Sequence, residues 1–216
     1  MPVKLFLLGS PGSGKSTMAL YIELLAQDKH WSVERINDYG ILREMFIEDQ
    51  QKGAGRFKPA DRGGFDVIDF KAFDEALQKL EQRAKLQFSL EEPEQKIVLI
   101  EFARNDYQKA FQQFSRDFLQ DAYFLYLDTD IDICKQRIRG RVANPKTEDD
   151  YYVSDYIFQA YYRYDNGQFL TDILQEYGVD EQRVKFLRNN ETPQVIESSI
   201  GEFVHSLIGK VVIRAA

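Results

Sequence analysis

The sequence predicts an α/β fold: a five-stranded parallel sheet sandwiched by helices, with a helical insertion at about 40–90 and a short lid at about 138–160. Three observations predict it. Short apolar runs suited to strands buried on both faces recur along the chain, segments with apolar residues at helical spacing separate them, and a glycine-rich junction follows the first run directly. With 216 residues, 44% of them hydrophobic and 29% charged, the chain is long enough to bury a substantial core, and one domain over 1–216 is expected.

The first strand is read at residues 4–8, and Met18, Tyr21, Ile22 and Leu25 share one face of the helix after it. Residues 32–36 supply the second strand. Phe70, Phe73, Leu77, Leu80 and Ala84 then mark a long amphipathic helix, and the third strand, 96–101, ends on a glutamate, Glu101. Tyr107, Ala110, Phe111, Phe114 and Phe118 read as one continuous helix face. The fourth and fifth strands fall at 123–127 and 183–187. Thr192-Pro193 reads as the N-cap and first-turn proline of a last helix, continued by Val195, Ile196, Ile200, Phe203, Val204 and Leu207. Two segments break the rhythm. Residues 50–64, with four glycines and with Arg56, Lys58 and Arg62, read as a flexible basic connection, and 140–152, with Asn144-Pro145 and a run of carboxylates, as an exposed loop or lid.

Composition excludes several classes. A net charge of −7 argues against a duplex DNA binder that works by phosphate neutralisation, so no nucleic-acid partner is expected. Cys134 is alone and the histidines are only His30 and His205, which leaves no Cys/His metal-ligand spacing. There is no run of eighteen or more apolar residues and no signal-peptide pattern, so the expectation is a cytoplasmic protein with no membrane partner, monomer or homodimer.

Gly9, Ser10, Pro11, Gly12, Ser13, Gly14, Lys15, Ser16 and Thr17 form the glycine-rich junction. The pattern is G-x-x-x-x-G-K-[ST], a P-loop, and the fold expected around it is the P-loop NTPase fold. Glycines let consecutive backbone N–H groups turn inward around a phosphate, which rests at the N-terminus of the following helix. Lys15 is placed to reach the β and γ phosphates and the Ser16 hydroxyl to ligate Mg²⁺. The cofactors expected are therefore ATP and Mg²⁺.

In such sheets ligands gather beyond the carboxyl ends of the strands. Past the second strand stand Asp38 and Arg43, and past the third Glu101, Arg104 and Gln108. A carboxylate at a buried strand end is costly unless it serves a cation or a proton transfer, so Glu101 is read as a metal ligand with Ser16 or as a base for a hydroxyl. Arg137 and Arg141 lie four apart on one helix face, suited to clamping a phosphoryl group in transfer. Tyr152, Tyr156 and Tyr162 are read either as helix packing or as rings that stack on a base, and Asn189 and Asn190 as neighbours of the donor base.

These motifs resemble the nucleoside monophosphate kinase group, adenylate kinase in particular, from residue 4 to about 190. Asp38-Tyr39-Gly40-Ile41-Leu42-Arg43 is similar to the family's G-D-x-L-R, and Glu101-Phe102-Ala103-Arg104 with Gln108 to its D-G-F-P-R-x-x-x-Q. Arg137 and Arg141 are similar to its R-x-x-x-R pair. The resemblance implies that Arg43 and Arg104 hold the phosphate of a small-molecule acceptor, that Gln108 contacts its base, and that residues 40–88 form mobile acceptor-binding helices. Glutamate replaces the family's aspartate, and Arg163 is the only candidate for the arginines that return from the lid. Deoxynucleoside kinases, with a Glu-Arg at the end of the third strand, are a second resemblance, and it implies Glu101 as base. The expected activity is transfer of the γ-phosphate to a nucleoside monophosphate, with a nucleoside or another hydroxyl metabolite as the alternative acceptor. A nucleotide-dependent ATPase or switch is the reading from another class. The N-K-x-D motif of GTPases is absent, and the Asp-Glu strand end of an AAA-type ATPase is not provided by 97–101 followed by Phe102.

Overall fold

The computed structural model describes residues 2–60, 63–89, 95–143, 151–190 and 200–209. Its elements begin with β1 (Val3–Leu8), α1 (Lys15–Gln27), β2 (Ser32–Asn37), α2 (Asp38–Lys52), β3 (Phe57–Pro59), β4 (Phe65–Val67) and α3 (Lys71–Ser89). They continue with β5 (Lys96–Glu101), α4 (Tyr107–Phe111), α5 (Arg116–Gln120), β6 (Tyr123–Asp128), α6 (Ile131–Ala143), α7 (Asp155–Ala160), α8 (Leu170–Gln175) and β7 (Val184–Arg188). Residues 200–209 are again helical.

Five strands form one parallel sheet in the order β2-β5-β1-β6-β7, the architecture the apolar runs predict, with strand ends within one residue of expectation. β1 and β5 have neighbours on both sides and helices over both faces, which is why they read as unbroken apolar runs. On one face Phe6 is the hub. Its ring stacks on Phe124 at 4.9 Å and meets the edges of Phe102, Phe111, Phe114 and Phe118 at 5.4–6.3 Å. The other face packs Leu5 and Leu7 against Met18 and Ile22 of α1 and Val204 and Leu207 of the last helix. Such burial brings the carboxyl ends of β1, β2, β5 and β6 to one edge of the sheet, where the motif residues lie. No helix among the described residues is long and apolar enough to cross a membrane.

Two stretches differ from expectation. Part of the basic connection at 50–64 enters an antiparallel hairpin, β3 with β4, in the register Phe57 to Val67 and Pro59 to Phe65. Arg56 is its strut: the guanidinium binds Glu75 at 2.9 and 2.8 Å and Asp69 at 3.3 Å, while Asp49 accepts from the backbone N–H of Arg56 and Phe57. Strands of three residues carry no readable alternation, so the pairing was invisible in the sequence. The stripe from Tyr107 to Phe118 is also two helices, because Ser115 starts α5 and gives its N–H and hydroxyl to the buried Glu81 carboxylate. All five stripe residues are nonetheless buried. Arg62, residues 144–150 of the expected lid with Asn144-Pro145, and the Thr192-Pro193 start with Val195 and Ile196 lie outside the described residues.

Candidate active site

Gly9–Thr17 turns between β1 and α1, and its lysine is folded back into it. Lys15 Nζ donates to the carbonyls of Gly9 at 2.8 Å and Ser10 at 3.1 Å. Burial lowers the Lys15 pKa, while Glu101 and Asp38 pull it the other way. The glycines answer to the surrounding fold as well as to a phosphate. At Gly12, with φ +83°, a Cβ would stand 2.4 Å from the Cys134 carbonyl oxygen, and at Gly14, with φ +101°, 2.4 Å from Asn189 Nδ2. Distant parts of the chain brace the loop from outside. Tyr107 Oη accepts from Gly9 N–H at 3.0 Å, and Asn189 Nδ2 donates to Ser13 O at 2.6 Å. Thr129 Oγ1 and Arg137 Nη1 donate to that same carbonyl at 3.2 and 3.4 Å. Asp165 accepts from Ser10 Oγ at 3.3 Å and from Tyr126 Oη at 2.8 Å.

Ser16 and Glu101 share a partner that sequence reading missed. Arg35, on edge strand β2, donates Nε and Nη2 to Glu101 Oε2 at 2.9 and 2.7 Å and Nη2 to Ser16 Oγ at 3.0 Å. A cationic group thus already bridges a hydroxyl and a carboxylate, both hard oxygen donors. That donor chemistry fits Mg²⁺, so Ser16 and Glu101 are the residues that would hold it.

The remaining candidates separate. Arg104 is 2% exposed, and its guanidinium donates to Asp38, to Ala103 O and, at 2.7 Å, to Phe73 O while lying 4.8 Å over the Phe73 ring. Arg43 sits on the exposed face of α2 and Gln108 on that of α4. No contact among the described residues joins Arg43 to Arg104. Arg163 is exposed beside Tyr164 and lines a separate recess with Lys135 and Phe158. Arg137 also donates to Asn189 O at 2.9 Å. Arg141 lies 5.3 Å over the Tyr151 ring, with its Nε buried and without a hydrogen-bond partner among the described residues, and its charge also acts to lower the Lys15 pKa, after the larger effect of burial. Of the tyrosines, Tyr156 is exposed, whereas Tyr162 is buried and donates to Ala103 O at 3.2 Å.

Beside the loop lies a cavity of about 60 Å³ bounded by Pro11, the start of α2, the β3–β4 hairpin and residues 151–162. One wall is a stack of rings: Phe65 on Tyr39 at 5.7 Å and Tyr39 on Tyr151 at 3.6 Å, both within 7° of parallel. Asp38 and Asp66 line it, and no lysine, arginine or histidine does so among the described residues. Asp66 and Arg35 carry no signal of a site in the sequence, and Tyr107 reads there only as part of an apolar stripe, because the pairing that gives each its place is tertiary.

A family model described as an AAA domain matches residues 5–159. The match runs from the first strand through the P-loop into α7, and β5 closes on Glu101-Phe102 rather than Asp-Glu. Among solved structures, the APS kinase CysC of Mycobacterium tuberculosis in complex with AMPPNP and APS has a TM-score of 0.53 at 15% identity, covering 96% of this chain and 98% of that one. Kti12 of Chaetomium thermophilum in complex with ADP-AlF3 has a TM-score of 0.53 at 12% identity, with 92% and 97% covered. An unliganded sugar kinase of Janibacter sp. HTCC2649 has 0.51 at 14%, with 93% and 92% covered. At these identities the likeness is one of fold, the P-loop NTPase fold. No curated protein matches the sequence.

Proposed function

From the premise that the chain belongs to this AAA-domain family, we propose that it is an ATP-dependent small-molecule kinase that phosphorylates a hydroxyl held in the cavity beside the P-loop. The observation that carries this reading is continuity: Pro11 belongs both to the phosphate-binding turn and to the cavity wall. A pure nucleotide switch has no use for a walled acceptor space against its P-loop. The APS kinase and the sugar kinase among the structural neighbours are kinases by name, and they support the reading by fold alone.

The mechanism follows from what each side chain can reach. The triphosphate lies in the turn of Gly9–Thr17, at the N-terminus of α1, and Lys15 exchanges the Gly9 and Ser10 carbonyls for phosphate oxygens. Ser16 and Glu101 would hold Mg²⁺, which when bound neutralises phosphate charge; Arg35 already supplies a cation at that place. Arg141 and Arg137 border the same loop and stabilise the γ-phosphoryl group as it moves. Asp38, anchored by Arg104 and lining the cavity, orients the acceptor hydroxyl and takes its proton. A bond forms from the acceptor oxygen to the γ-phosphorus while the bond to the β–γ bridging oxygen breaks, and ADP leaves with that electron pair. Glu101, turned toward Arg35, serves the metal side.

ADP release from ATP-Mg²⁺ across a panel of hydroxyl metabolites, nucleosides and nucleoside monophosphates tests the proposal, with Lys15→Ala as the blank. Acceptor-stimulated release absent from the blank supports it. Tight ATP binding with no stimulation by any acceptor would transfer the assignment to a nucleotide-dependent switch.

A further inference from the structure

Asp66 is 4% exposed, and its Oδ1 is buried without a hydrogen-bond partner among the described residues. It is carried by β4 into the wall of the cavity already assigned to the acceptor. An ionised carboxylate oxygen kept from water costs free energy until a donor reaches it. Asp38, the second carboxylate of the wall, has its own donor in Arg104. Of the two arginines that the resemblance assigns to a phosphorylated acceptor, Arg104 is closed off by Asp38 and Phe73, and Arg43 stands on an exposed helix face.

The geometry points to Asp66 as the residue that selects the acceptor, and to the acceptor as a compact alcohol that carries no phosphate or carboxylate and presents an O–H or N–H to Oδ1. This rests on the kinase reading of the same cavity. Charge agrees. Asp66 faces the site unpaired and no basic side chain lines the wall among the described residues, which disfavours an anion there. A cavity of about 60 Å³ admits a few waters or a compact ligand. The hairpin that bears Asp66 therefore does the work of selection, held in place by Arg56 on Glu75 and Asp69.

The test pairs calorimetric binding with ADP release, using glycerol, erythritol and inositol as neutral probes, ethanolamine and serinol as cationic ones, and AMP, CMP and UMP as anionic ones. At least one neutral or cationic probe should bind and stimulate. Asp66→Asn should raise its KM about tenfold or more, equivalent to ~1.4 kcal/mol, and by a larger factor than it lowers kcat. Removing the unpartnered buried oxygen should also raise the melting temperature of Asp66→Leu, which separates lost recognition from lost folding. A neutral probe that outperforms the amines identifies a polyol, and the reverse an amino alcohol; either supports the assignment. Stimulation by monophosphates alone, binding by none of the non-anionic probes, or an unchanged KM in Asp66→Asn overturns it. A probe that binds through Asp66 without turnover would leave the selectivity assignment standing and remove the kinase reading.

Discussion

Replacing Arg35 by leucine removes, among the described contacts, three hydrogen bonds, two to Glu101 Oε2 at 2.9 and 2.7 Å and one to Ser16 Oγ at 3.0 Å. Removing one partner of a buried ion pair costs about 3–5 kcal/mol. The Glu101 side chain is 9% exposed but that of Arg35 is 26% exposed, so solvent reaches one half of the pair. The expected loss is therefore discounted to about 2–3 kcal/mol. At roughly 2–4 °C per kcal/mol for a chain of this size, the melting temperature of the nucleotide-free protein should fall by about 4–12 °C. With Mg²⁺ and ADP present the deficit should shrink, because Glu101 and Ser16 then face a divalent cation instead of a vacated guanidinium position. The variant should also need less Mg²⁺ for half-maximal nucleotide binding. Thermal melts with and without Mg-ADP, together with a Mg²⁺ titration at fixed ADP, decide the matter. An equal deficit in both melts, or no deficit at all, would refute the idea that Arg35 stands in for the metal.

Three further outcomes are expected. Lys15→Ala should lower ADP release by about 10²–10³-fold with only a small change in melting temperature, since its ammonium is held against desolvation. Burial lowers the Lys15 pKa from 10.5, so just below that value the native chain binds fewer protons than the unfolded one. Stability of the nucleotide-free protein should consequently rise with pH in that window, and nucleotide binding there should take up a proton, seen as a buffer-dependent heat. Tyr107→Phe leaves the Gly9 N–H without its acceptor and should cost about 1–3 kcal/mol in urea unfolding, with weakened ADP binding. Gly12→Ala places a Cβ 2.4 Å from a backbone oxygen at φ +83° and should cost at least about 2 kcal/mol by the same measurement, or a comparable loss of ADP affinity.

What the sequence made legible follows a physical division. β1, β5 and β6 are buried on both faces, so burial alone writes them as apolar runs, and their ends fall within a residue of the predicted ones. The P-loop was legible because its backbone demands are local: φ above zero at Gly12 and Gly14 and a lysine one residue later. Arg56 was misjudged because a basic residue among glycines looks mobile until Glu75, nineteen positions away, supplies its partner. Arg104 was assigned by resemblance to an acceptor phosphate, and in the structure its hydrogen bonds go to Asp38, 66 positions away, and to the backbone of Phe73 and Ala103. Arg35 reads as one alternate residue of an edge strand, and only the pairing of Asn37 with Glu101 and of Arg35 with Leu99 brings it to the strand end. Local chemistry was readable and pairing across the sheet was not.

β1 precedes the other four strands of its sheet in the chain and is the middle strand of the finished sheet, so neither of its partners exists when it emerges from the ribosome. Its hydrogen-bonding edges wait for Lys96–Glu101 on one side and Tyr123–Asp128 on the other. At about 5–20 residues per second, the gap between Leu8 and the start of β6 corresponds to roughly 6–23 s of translation. Through that interval the apolar strand and the nascent P-loop behind it are exposed together. The loop cannot take its final shape until Asn189 has been made, because that side chain closes on Ser13. Truncated chains of this protein should therefore engage chaperones and fail to bind nucleotide, whatever the completeness of their phosphate-binding motif.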